Sequence, residues 1–254
     1  MSTPIRTTTS IAIATADDVT VRGRSLCREL IGKLTFTEMT YLQITGRAPT
    51  AGQAAVVDAC LVTLMEHGLT PSVLAARLVQ SSAPEGLQAA VAAGLLAVGG
   101  VFVGTVEGCA VLLDRIVASG DVEHEARRIA DEHRAARRPV PGFGHPVHKP
   151  DDPRTPCVLG VAESQGVAGA HVAALRALAA AVDAASGRHV TINATGAIAA
   201  ALRDAGVPAE IMRGFAVLAR CAGLVGHVHE EQHRPAMRAI WEAAEAAVPY
   251  DGET

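Results

Sequence analysis

The segment PGFGHPVHKPDDPR, residues 141–154, concentrates reactive side chains among backbone breakers. His145, His148, Lys149, Asp151, Asp152 and Arg154 sit between four prolines and two glycines. Gly142 and Gly144 flank Phe143 and tolerate positive φ, so successive backbone N–H groups could converge there on an anion. His145 follows directly, which would fix its ring beside that anion. Lys149 offers a point charge suited to phosphate, and Arg154 a planar fork suited to a carboxylate. Pro150 and Pro153 stiffen the spacing between them. A plain surface crossing between helices rarely needs such rigidity, so the segment is expected to hold a ligand.

Three other places carry candidate chemistry. In EHG, Glu66–Gly68, a histidine at a helix C-terminus feels the negative end of the macrodipole. His67 would either point into a cleft or cap free carbonyls. Arg220 lies in LARCAGLVG, with Leu218, Ala219, Ala222 and Leu224 around it. A buried guanidinium there needs an anion, either an acid of the same fold or a carboxylate substrate. HEEQH, 229–233, matches the H-E-x-x-H zinc motif. Pro235 ends that helix and no histidine follows His233, so a solvated, charged helix end is expected instead. The five cysteines are scattered with no CxxC pair, which fits reduced thiols and no metal cluster. Neither a G-x-S-x-G elbow nor a Walker loop is present. Two histidines, several arginines and a phosphate-suited loop together suit a small polycarboxylate and a phosphorylated carrier.

Helices must position these groups. Hydrophobic residues make up 49% and aromatics only 3%, favouring close-packed helices over aromatic-rich strands. Thr35 with Glu38, Thr50 with Gln53 and Ser82 with Glu85 read as capping boxes. Thr70 precedes Pro71 as an N-cap, Asp121 opens another helix, and Gly46 and Gly68 read as stops. After the loop, helical spacing recurs over 155–165, 168–185, 195–205, 208–231 and 235–247. Only HVTIN, 189–193, alternates like a strand. The expected fold is all-α with ten or more helices. Net charge is −4 with no block of one sign, so neither nucleic acid nor an anionic membrane surface is an expected partner. The apolar window 89–98 is too short to span a bilayer, and the N-terminus lacks a signal-peptide core. A cytoplasmic location is expected.

GFGHPVHKPDDPR closely resembles the citrate synthase signature, a glycine-rich G-H turn followed by a basic residue and D-P-R. The stretch from Glu66 to Gly100 looks like the family's DHG helix pair, and RCAGLVGHVHEE like its arginine-bearing helix. The likeness runs from about Val21 to Tyr250, and the short chain is similar to the citryl-CoA lyase branch and to the lyase module of ATP-citrate lyase. It implies a citrate synthase-like fold with a large helical domain (1–103 and 210–254) and a small mobile one (104–209) carrying the 141–154 loop. It implies a homodimer with a shared site. It also implies retro-Claisen cleavage of citryl-CoA, or a related hydroxy-polycarboxyl-CoA, to acetyl-CoA and a 2-oxo acid such as oxaloacetate. By motif, His67 and His145 would hold the oxygen that changes between ketone and alcohol. Arg154 and Arg220 would bind carboxylates, with Arg238 (less favoured, Arg234) reaching the partner's site. Gly142, Phe143, Gly144 and Lys149 would lie along coenzyme A, and no metal is implied. Two positions depart from the pattern. The synthase histidine position falls on Phe102, an aromatic as in the lyase branch. The general acid–base aspartate position falls on Thr195, which cannot shuttle a proton but can donate a hydrogen bond to a thioester or enolate oxygen. Asp151 and Asp152 are conceivable stand-ins. Loss of catalysis with retention of binding is the alternative reading.

Overall fold

The computed structural model describes residues 7–100 and 104–252; Phe102 lies outside the described residues. An antiparallel meander comes first: β1 (Ala12–Ala14), β2 (Val19–Val21) and β3 (Arg24–Ser25), then one π-helical turn, Leu26–Leu30. Eleven α-helices follow among the described residues. They are α1 (Phe36–Thr45), α2 (Ala51–Met65), α3 (Pro71–Ser82), α4 (Leu87–Leu96), α5 (Gly104–Ser119), α6 (Val122–Ala135), α7 (Arg154–Ser164), α8 (Ala170–Ser186), α9 (Ala194–Asp204), α10 (Met212–His233) and α11 (Met237–Ala247). The fold is all-α, as expected.

The caps show which local signals held. Thr35 and Thr50 close true capping boxes with Glu38 and Gln53, and Gly46 ends α1 in the left-handed conformation. Ser82 and Glu85 do not form one. Ser82 is the last residue of α3 and donates to the Leu78 carbonyl, while Gly86 precedes α4. Thr70 precedes Pro71 as expected, but its hydroxyl faces Ser72 Oγ at 2.9 Å rather than capping. α2 stops at Met65, three residues before Gly68, because Glu66 is extended. HVTIN is not a strand. Ile192 makes one isolated antiparallel bridge with Phe143. The meander went unread because strands of two or three residues are too short to show alternation.

The largest apolar cluster joins α2 and α5–α9 to the start of α10. A second joins α3, α4 and the end of α10; a third lies between β2, the π-turn and α1. α9 is the centre of the first: Ala194, Gly196, Ala197, Ile198, Ala199, Ala200, Ala201 and Leu202 are all buried. Its small side chains let neighbouring backbone come close. A Cβ on Gly196 would meet the Gly142 carbonyl at 2.6 Å, so the loop rests directly on this helix. The stretch Ala209–His233 is long and apolar enough to cross a bilayer by composition. It instead packs against α2, α3 and α4, with Arg220 in its middle.

Candidate active site

A cavity of about 440 Å³ lies between two groups of residues. One side is the α2–α3 turn with Glu66 and His67, the end of α4, and Arg220 on α10. The other is Thr105, Val106, the loop from Phe143 to Pro146, Arg154, and Asn193–Thr195 at the start of α9. The structure thus brings together His67, Phe143, Gly144, His145, Arg154, Thr195 and Arg220. Gly142 is buried behind the wall, Lys149 is exposed outside it, and Arg238 is elsewhere, pairing with Glu242 on exposed α11. Arg238 borders a separate surface cavity with Gln80, Glu231 and Pro235.

The glycine loop has the expected geometry but not the expected use. Gly142 and Gly144 have φ of 88° and 78°. Their neighbourhood is not an anion nest, because Phe143 N donates to Val140 O and Gly144 N to Thr191 O. One donor is consumed within the loop's own turn and the other by the 191–193 segment. Two other N–H groups do converge: Val147 N and His148 N both donate to His145 Nδ1, at 3.1 and 2.9 Å. Nδ1 must therefore be bare, and in the neutral ring Nε2 carries the hydrogen. Arg154 NH2 lies 3.4 Å from that Nε2. Two donors side by side cannot satisfy each other; both are placed for one shared acceptor.

Arg154 is held by Asp152, which is fully buried and accepts from Arg154 Nε at 2.9 Å and NH2 at 2.7 Å. Asp152 also accepts from Ala194 N at the head of α9. Burial pushes its carboxyl upward, but hydrogen bonds from Arg154 and Ala194 outweigh that and hold it at about 2. Asp152 is thus a permanent anion that braces the loop, not a stand-in for the missing acid–base group. Asp151 is spent as well: it is exposed and faces His189 Nε2 at 2.9 Å.

His67, His145 and His148 place imidazole nitrogens within 4.8 Å of one another, a trio that could in principle hold a cation. The tautomer argues otherwise. His145 presents an N–H to the cavity, and its lone pair is occupied by backbone donors, so it has nothing to give a metal. His145 and His148 stack at 4.4 Å between centroids. Burial, then the cations of Arg154 and Arg220 and the neighbouring His148 ring, hold His67 below the ordinary imidazole range. Burial and His148 do the same to His145. The His67 ring makes no hydrogen bond among the described residues, so a neutral imidazole faces the cavity with a lone pair available. Arg220 likewise has its NH1 buried without a hydrogen bond, the nearest anion being Glu66 Oε1 at 3.9 Å. Burial pulls its pKa down and Glu66 opposes that. Glu66 alone leaves room for a substrate carboxylate.

Thr195 is not the donor expected. Its hydroxyl hydrogen goes to Asn193 Oδ1 at 2.6 Å, and its oxygen accepts from Thr105 at 3.1 Å. Asn193 also takes Thr195 N and Gly196 N as the α9 N-cap, while its Nδ2 binds Gly144 O at 2.8 Å. Asn193 was missed in the sequence, although an Asn before an apolar helical run is a capping signal. The roles of Glu66 and Asp152 were unreadable because their partners are settled only by the tertiary fold.

Residues 5–241 match the profile of the citrate synthase C-terminal domain, and the chain belongs to the citrate synthase family. Its structural relatives include lyases. The citryl-CoA lyase of Hydrogenobacter thermophilus aligns at a TM-score of 0.88 and 31% identity, over 97% of this chain and 95% of that one. An ATP citrate lyase of Methanosaeta concilii, solved with (3S)-citryl-CoA, shares the fold at a TM-score of 0.79 and 18% identity, with 100% of this chain on 43% of that one. Proteins of Mycobacterium tuberculosis provisionally named citrate synthase 2 are 29% identical over 184 residues, 69% of this chain. The chain spans about half (47%) of their length.

Proposed function

We propose that this protein is an acyl-CoA lyase, cleaving citryl-CoA or a related hydroxy-polycarboxyl-CoA into acetyl-CoA and a 2-oxo acid such as oxaloacetate. Coenzyme A is the carrier and no resident metal takes part. The protein acts in the cytoplasm as a homodimer, with Arg238 reaching into the partner's site. The observation that carries the reading is the polarity of the cavity. His145 and Arg154 aim donors at one point, Arg220 offers an unbonded N–H, and His67 offers a lone pair.

That polarity fits a retro-Claisen step. The tertiary hydroxyl oxygen sits against the His145 Nε2–H and Arg154. His67 takes the hydroxyl proton as the oxygen becomes a ketone. The carbon–carbon bond breaks and its electrons pass to the thioester as an enolate. The proton held on His67 then returns to the enolate carbon, giving acetyl-CoA and leaving the enzyme unchanged. Arg220 holds a carboxylate throughout.

Incubation of the purified protein with citryl-CoA is expected to release acetyl-CoA and oxaloacetate. No acetyl-CoA from the wild type, with an active Thr195→Asp variant, would sink the reading for this substrate. A second reading, a CoA and polycarboxylate binding protein without catalysis, is favoured by the Thr195 hydroxyl being committed to Asn193. Calorimetric binding of citrate or CoA with no turnover of any hydroxyacyl-CoA would support it.

A further inference from the structure

The turn that presents His67 is tied to α3 and α10 by hydrogen bonds whose direction is fixed from end to end. Arg77 on α3 is 4% exposed. Its guanidinium meets Glu231 Oε2 at 2.9 Å, pairs with Glu230, and lies against His227 Nδ1, NH2 at 3.0 Å and Nε at 3.3 Å. Arginine only donates, so His227 Nδ1 is bare and Nε2 carries the hydrogen. That Nε2 is 2.8 Å from Glu66 Oε2. The other Glu66 oxygen accepts from His67 N and Gly68 N, both at 2.7 Å. Glu66 therefore accepts on both sides. The HEEQH stretch, the zinc-like motif, supplies the acids that seat Arg77. α10 comes close enough for this because residue 223 is glycine: a Cβ there would meet Met65 O at 2.2 Å.

We propose that His227 is a positioning residue: by donating to Glu66 it sets the turn that aims His67 into the cavity, with Arg77 dictating its tautomer. The inference rests on the reading of His67 as the proton acceptor. The turn has few other restraints. Gly68 has a φ of 71°, and the extended Glu66 has left the helix. Without an acceptor at Glu66 the His67 and Gly68 amides lose their partner, and the ring can swing away. A neutral amide cannot replace Glu66. Gln would bring a donor against either His227 Nε2–H or the two backbone N–H groups, and Arg77 prevents His227 from reversing its tautomer.

The test compares His227→Leu with His227→Gln, whose amide nitrogen can stand where Nε2 does. His227→Leu is expected to lower kcat on citryl-CoA by about 100-fold, the scale of a misplaced catalytic group, with KM changed little. His227→Gln should recover most of the loss, and Glu66→Gln should be as slow as His227→Leu. A leucine variant with wild-type kcat, or a glutamine variant as slow as leucine, overturns the proposal. A readout free of turnover separates this from the activity itself. In ¹⁵N spectra of the wild type, His227 should show a protonated Nε2 and a bare Nδ1. The His67 ring signals should move in His227→Leu and return in His227→Gln. The opposite His227 tautomer, or His67 signals unmoved by leucine, overturns the proposal even if the protein cleaves nothing. If His227→Leu does not fold, the wild-type tautomer and Glu66→Gln decide it in the same way.

Discussion

Two backbone N–H groups on His145 Nδ1 and two arginines near His67 give two imidazoles in one cavity opposite duties. His145 donates; His67 accepts. The pH dependence follows. Both rings are held below the ordinary value of ~6.5, so the native state binds protons less readily than the unfolded chain. Their contribution to stability is present above that value and is lost as pH falls below it. The acid limb of kcat/KM should therefore lie below ~6.5, and an NMR titration of His67 should give its midpoint there. A midpoint above the ordinary value would contradict the desolvated, cation-flanked setting. Asp152 shifts in the same sense on the pKa scale, with the same outcome. Held at about 2, it contributes stability that is complete above its unfolded value of ~3.9 and lost as pH falls toward about 2. Asp152→Asn should flatten that acid limb of the unfolding curve and loosen the loop at neutral pH. Arg220→Leu should raise KM for the carboxylate-bearing substrate by roughly 10–150-fold, the equivalent of one charge-assisted hydrogen bond, while the melting temperature holds.

The elements show where sequence reasoning succeeded and why. The boxes at Thr35 and Thr50 formed because every group in them lies within four residues. Thr50→Ala should cost about 1 kcal/mol in urea unfolding. The Ser82–Glu85 box failed on equally local grounds: the chain was still helical at Ser82, and Pro84 and Gly86 moved the next start beyond it. The N–H groups of the glycine loop were misread for a different reason. The acceptor of Gly144 N is Thr191, far along the chain, and no motif announces it. His67, His145, Arg154 and Arg220 were legible as site residues because histidine and arginine in apolar or stiffened stretches are unusual in themselves. The hydrogen bonds that give them direction were not. Gly196 marks the limit of that legibility, since nothing in INATGAIAA says that another backbone touches it. Gly196→Ala should destabilise the protein by about 1–3 kcal/mol through the clash with Gly142 O, read by thermal or urea unfolding.

At the scale of the whole molecule, α11 is the one α-helix among the described residues that buries no side chain. Its Trp241 is 59% exposed. Glu231 ties its start down, accepting from Ala236 N and Met237 N. The proposed assembly covers α11 with a second copy and carries Arg238 to the neighbouring cavity. Mixing inactive Arg238→Ala and His67→Ala chains should then restore part of the citryl-CoA cleavage, because each hybrid dimer regains one intact site. No recovery at any ratio would place Arg238 outside catalysis.

The composition of α9 has a thermodynamic consequence of its own. Its buried stretch is mostly alanine and glycine, side chains that give up about 0 kcal/mol of rotamer entropy on folding, against ~1.5–2 for long flexible ones. The alanine and glycine positions of the seat under the loop have no alternative rotamers to visit as temperature rises. Warming can loosen what stands on it, the loop that carries His145, well before it blurs the seat itself.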